Sequence, residues 1–153
     1  IKINLDSNKI VFFIGESILI SKLIDGNFPD YRRVIPQENK NKLIINRESF
    51  SLAVDRVSTI VNEKSPIIKF KLLNNVMNMS SVNNENGTAT EDITTKYSGD
   101  EIEIGFNSKY VLEMINNLED DEITLNFKDS SSPVTAMEES NNDLIYVLMP
   151  MRV

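Results

Sequence analysis

The sequence predicts an α+β fold: two copies of a strand-helix-strand-strand-strand unit, with two helices packed on antiparallel sheets, preceded by a three-stranded remnant of an earlier unit. Three observations carry this prediction. Apolar residues alternate at period two through many short runs, two segments switch to helical spacing, and each switch follows an Asn suited to cap a helix.

The first 24 residues hold three strand-like bouts, Ile1 to Leu5, Ile10 to Ile14 and Ile18 to Ile24, separated by Asp6-Ser7-Asn8 and Gly15-Glu16 as turns. They read as a three-stranded antiparallel meander. Residues 25–36 interrupt the periodicity with two prolines, a glycine and Arg32-Arg33, and the polar run 37–41 reads as a linker, so a domain boundary is placed between residues 36 and 37. The first repeat opens with a strand over 42–45. Asn46 caps a helix predicted over 47–62, with Phe50, Ala53, Val54, Val57, Ile60 and Val61 on its apolar stripe. Strands over 67–73, 76–82 and 88–97 follow it. The second repeat has a strand over 101–106, Asn107 as cap, a helix reaching Leu118, and strands over 122–127, 134–137 and 144–149. Met77, Met79 and Met114 fall on core positions of this pattern. Residues 1–24 match the last three strands of such a unit, and three strands alone leave their sheet uncovered, so the chain is expected to continue upstream.

Composition narrows the chemistry. At 153 residues, 41% hydrophobic and 25% charged, the chain has the make-up of an ordinary globular protein, and no apolar run approaches the roughly 18 residues that a membrane span needs. No membrane attachment is expected. Cysteine and histidine are both absent, which excludes disulfides, Cys/His zinc sites and imidazole-based triads and leaves a non-enzymatic protein with no cofactor as one reading. The missing cysteines suit a cytoplasmic protein. A net charge of −7 argues against non-specific nucleic-acid affinity by the chain as a whole, while leaving room for a locally basic face in a larger assembly. Two other function classes fit parts of the sequence. A self-contained β-rich interaction module fits the strands, and an acidic metal-dependent hydrolase fits Glu119-Asp120-Asp121-Glu122, although a solvated turn between helix and strand explains that run better.

The end of the chain is the other informative stretch. Tyr146 to Met149 read as a buried strand, Pro150 stops it, and Met151-Arg152-Val153 follow with little polarity for a chain end. From the residues alone this tail is either core or one side of a groove, where flexible Met side chains adapt to a partner.

The repeat, the stretch Leu23 to Pro36 (LIDGNFPDYRRVIP), the stretch Tyr97 to Asn107 (YSGDEIEIGFN) and the tail Tyr146 to Arg152 (YVLMPMR) together resemble the bacterial DNA polymerase III β subunit family, the replicative sliding clamps. The resemblance implies that residues 1–36 are the end of a clamp's middle domain with the inter-domain segment, and that residues 37–153 are its third domain. It implies a head-to-tail homodimeric ring enclosing duplex DNA without base-specific contacts. It further implies partners with short linear motifs, among them the polymerase III catalytic subunit and the clamp loader. The groove that receives Leu and Phe side chains of those motifs would use Pro29, Arg33, Val34, Val147, Met149, Pro150, Met151 and Arg152, with Asn107, Tyr110, Ser131 and Pro133 along its rim. Asn107 has a second sufficient role, as helix cap. The ring interface would use Thr59, Ile60, Thr88, Thr90, Ile93 and Thr95, and Arg47, Arg56 and Lys109 are the helix-associated cations that would face DNA.

Overall fold

Both predicted helices begin where the sequence places them, because each Asn keeps extended backbone and turns its side-chain oxygen back to a free helical N–H. Asn46 accepts from the Ser49 amide at 2.9 Å and Asn107 from the Lys109 amide at 3.0 Å. The structure is a computed structural model that describes residues 1–26, 30–62, 66–141 and 143–152. It divides into two compact units, Ile1–Asp30 and Tyr31–Val153.

The first unit is the expected meander of β1 (Lys2–Leu5), β2 (Lys9–Ile14) and β3 (Ser17–Lys22), paired antiparallel in the order β1-β2-β3. The Asp6 carboxylate accepts from the Asn8 and Lys9 amides in the first turn, and Gly15, at φ 59°, supplies the left-handed residue in the second. The third strand ends at Lys22, short of the expected Ile24.

The second unit opens with a 3-10 turn over Tyr31–Arg33 and then carries both repeats: β4 (Asn41–Asn46), α1 (Arg47–Ser58), β5 (Ile67–Leu73), β6 (Val76–Asn83), β7 (Gly87–Thr94) and β8 (Lys96–Tyr97); then β9 (Ile102–Asn107), α2 (Ser108–Asn116), β10 (Glu122–Phe127), β11 (Val134–Glu138) and β12 (Tyr146–Leu148). The repeats interlock. One sheet has the order β7-β6-β5-β9 and the other β12-β11-β10-β4-β8, so the opening strand of each repeat joins the three later strands of the other. Neither repeat makes a complete sheet alone. The two helices pack against each other and against the inner sheet faces, where Phe50 of α1, Phe70 of β5 and Phe106 of β9 stack with ring centroids 5.7 and 5.5 Å apart. Met77, Met79 and Met114 are buried in this core, as their positions in the pattern predict.

In the second unit, four elements differ from the sequence reading by more than a residue at an end. Helix α1 stops at Ser58 rather than continuing to residue 62, where β6 side chains take over the carbonyls of its last turn and of the turn just after it: Ser81 Oγ donates to Val57 O at 2.6 Å and Asn83 Nδ2 to Ile60 O at 2.8 Å. Helix α2 ends at Asn116, two residues before Leu118, and Asn117 Nδ2 caps Glu113 O at 2.7 Å. The strand expected over 88–97 is two strands in different sheets, broken at the buried Thr95. There the left-handed Asn75 receives the Thr95 amide on its carbonyl and donates its own amide to Tyr97 O. Finally, the closing strand is short and only half-buried, because β12 is an edge strand.

The first repeat's break explains the end of the second. Ile44 lies two residues before the Asn46 cap and pairs with Lys96, just after the Thr95 break; Gly105 lies two residues before the Asn107 cap and bridges Met151, just after Pro150. In each repeat the chain leaves its last strand and crosses to the opening strand of the same repeat. The tail is therefore a structural element, fixed by the Met151 amide donating to Gly105 O at 2.8 Å.

Candidate functional site

The crossing of the tail builds a concave site. Between β12, the tail and the first turn of α2 lies a depression of about 470 Å³ lined by Phe106, Asn107, Tyr110, Val147, Leu148, Met149, Pro150 and Met151. Its walls are mostly apolar. Met149 is 63% exposed and Tyr110 62% exposed, both unusual for such large side chains, while Phe106 closes the floor from the core. The Asn107 side chain caps α2, and the residue also lines the depression.

Pro150 and Met151 also border a second depression, of about 550 Å³, whose other lining residues are polar: Glu103, Ser130, Ser131 and Arg152. The loop on its far side is held by Asp129. The carboxylate of Asp129 accepts from the Ser131 and Ser132 amides at 2.8 and 2.7 Å and from both serine hydroxyls, and these bonds, the Ser131 amide foremost, hold its acid well below the ordinary 3.8, at about 2. The Pro133 carbonyl accepts from Asn39 Nδ2 at 2.9 Å, and the same amide group donates to Asn126 O, so the expected linker is fastened to this unit.

The model of the DNA polymerase III beta subunit, C-terminal domain, matches residues 32–152. The chain belongs to that family. It is similar along its whole length to the beta sliding clamp of Caulobacter vibrioides, at 37% identity over 153 residues, and to that of Escherichia coli K12, at 35%. It spans about two fifths of the length of these relatives, 41% and 42% respectively. Among solved structures, a sliding clamp from Bartonella birtlesii bound to griselimycin superposes with a TM-score of 0.89 at 41% identity, covering 99% of this chain and 41% of that one. A beta sliding clamp from Caulobacter crescentus with bound polyethylene glycol gives 0.88 at 37%, with the same coverage.

Of the groove residues carried over from the clamp family, Asn107, Tyr110, Val147, Met149, Pro150 and Met151 come together in the apolar depression, and Ser131 and Arg152 border the polar one. Arg33 and Val34, exposed at the 3-10 turn, line neither, nor does Pro133. Pro29 lies outside the described residues. Phe106, Leu148, Glu103 and Ser130 were not foreseen; the first two follow strand alternation and read as core, and the last two look like ordinary surface positions.

The other clamp-family positions fall in two places. Thr88 and Thr90 are exposed on β7, the open edge of the four-stranded sheet, with Thr59 exposed at the end of α1 and Ile60 and Ile93 half-buried. Thr95 is off that edge, buried at the strand break. Two of the three helix cations are engaged within the fold. Arg47 Nε donates to Asp120 O at 3.0 Å, and the Arg56 guanidinium grips both carboxylate oxygens of Glu91 on β7, which lowers the acid of Glu91 and raises the base of Arg56. Lys109 is exposed on the first turn of α2. The acidic run 119–122 is shaped by Glu138, whose carboxylate accepts from the Glu119 and Asp120 amides; among the described residues no three acidic groups converge as a metal site. None of the described helices is long and apolar enough to cross a membrane.

Proposed function

We propose that this chain is the end of the middle domain (residues 1–36) and the third domain (37–153) of a replicative sliding clamp, and that its tail forms one side of the groove where partner proteins dock. The observation that carries this reading is the tail itself: stitched to β9 at Gly105, it leaves Met149 exposed beside Tyr110 over an apolar floor. That arrangement suits an extended segment with two apolar anchors. Burying a Leu or Phe is worth roughly 1.5–3 kcal/mol each. Two anchors then give about micromolar affinity after ordering costs. The griselimycin-bound relative supports a ligand site in this family.

The whole protein is a homodimeric ring that encloses duplex DNA, tethers the polymerase and receives the clamp loader. It acts in the cytoplasm and catalyses nothing. The open β7 edge, with Thr88, Thr90, Ile93, Thr59 and Ile60, forms the ring contact. Enclosure makes strong local charge unnecessary, which is consistent with the pairing of Arg47 to Asp120 O and of Arg56 to Glu91, and Lys109 is the exposed helix cation proposed to face the duplex. The test is titration of a peptide with Leu and Phe anchors into the full-length protein and its Met149→Ala and Arg152→Ala variants. Met149→Ala weakens binding about tenfold, corresponding to one partly buried side chain. Unchanged affinity in both variants removes the tail from the site.

A further inference from the structure

The first unit carries a second apolar surface that its own fold does not account for. Its pairing register sorts every strand residue onto one of two faces. On one face the cross-strand rows are Ile3-Phe12-Leu19, Leu5-Ile10-Ser21 and the pair Ile14-Ser17, mostly apolar and uncharged throughout. That is the composition of a core face. On the other face the rows are Lys2-Phe13-Ile18 and Asn4-Val11-Ile20, followed by Lys9 opposite Lys22. Here four apolar side chains are framed by three lysines. Lys2 Nζ sits 5.9 Å from the Phe13 ring centre, and Asp6, 4.0 Å from Lys9, is the carboxylate at the rim. Ile18 and Ile20 are 61% and 63% exposed.

The second unit shows what an ordinary outer face looks like in this fold. The central outer row of its four-stranded sheet is Asp92-Asn78-Lys71-Glu103, with both signs of charge, and the apolar members of that face, Ile67, Leu73, Val76 and Val82, lie apart from it towards the strand ends. A sheet that is apolar on both sides needs two covers. The uncharged face is covered by the rest of its own domain, and to that extent the inference rests on the clamp reading.

We infer that the lysine-framed face of β1–β3 is a docking surface for an acidic amphipathic segment of a partner protein. The charge decides the partner's sign, since three cations frame the patch. It also disfavours a second copy of this chain, which would bring lysine against lysine. The size decides its kind. Neighbouring strands lie about 4.8 Å apart and alternate residues about 7 Å apart. The four apolar side chains therefore match the i, i+3 and i+4 residues of one helix, spaced about 5–6 Å. A bilayer or a stable homodimer needs a broader surface.

The test uses the full-length protein and two fluorescent 18-residue amphipathic helical peptides, one with leucines flanked by glutamates and one with the same leucines flanked by lysines. The glutamate peptide binds, the lysine peptide does not, and K9E/K22E and I18T/I20T each weaken binding by about tenfold or more. Equal binding of the two peptides, or variants without effect, overturns the inference. So does binding to phosphatidylglycerol vesicles in place of the glutamate peptide, or a dimerisation lost in I18T/I20T. Thermal melts separate this from the clamp reading: Leu19→Thr on the uncharged face lowers Tm while I18T/I20T does not. If Leu19→Thr leaves Tm unchanged, the missing domain cover is refuted instead.

Discussion

Asp129 shows how one residue shapes the rim of the candidate groove. Its carboxylate gathers two amides and two hydroxyls of the Ser131-Ser132 turn, and those bonds are strongest while it is ionised. Its folded pKa of about 2 lies below the ordinary 3.8, so it contributes stability that is fully present above pH 3.8 and is lost as pH falls through about 2. The Ser131 and Ser132 amide resonances should therefore hold their positions from neutral pH down to about 3 and shift together with a midpoint near 2; a midpoint near 3.8 would mean that the turn does not depend on this anion. Asn107 makes the complementary point. Its type and place announce a helix cap, and nothing in the residue itself announces that the capped turn also borders a depression.

At the scale of elements, the decisive feature is the strand that changes sheets. Met151→Pro removes the amide that donates to Gly105 O, a bond worth about 1 kcal/mol. Hydrogen exchange over residues 146–152 should accelerate while that of β5 and β6 stays unchanged, and peptide affinity should fall with it. Protection that survives in the tail would show that side-chain packing, not the bridge, holds it. The strands themselves are legible because alternation is strict: Ile67–Leu73 reads off as a strand to the residue. The crossing points are not, for a physical reason. Alternation records which face a residue points to, never which strand lies beside it, so Thr95 looks like the middle of one strand although it joins two sheets. The end of α1 is hidden similarly. Ile60 and Val61 keep helical spacing, whereas the carbonyls at the stop are taken up from β6 by Ser81 and Asn83, over twenty residues away in sequence.

For the whole molecule, the interlocked repeats make the second unit one cooperative body. Phe70 of the first repeat lies between Phe50 of its own helix and Phe106 of the second repeat, so Phe70→Ala should cost about 3–5 kcal/mol and still leave a single melting transition. Two separate transitions would show that the repeats fold independently. The repeat order and the core were readable from periodicity, and the family from three motifs; the interlocking was not, because it arises only when both copies are present. What this architecture accomplishes is to bring residues 149–151 into a fixed position beside the first turn of α2. The most direct measurement of that claim is photo-crosslinking of a two-anchor peptide, carrying a diazirine leucine, to the full-length protein. The account predicts adducts on residues 106–110 and 147–151, with Tyr110 and Met149 foremost. Adducts confined to the outer sheet face around Met137, or none in those two segments, would contradict it.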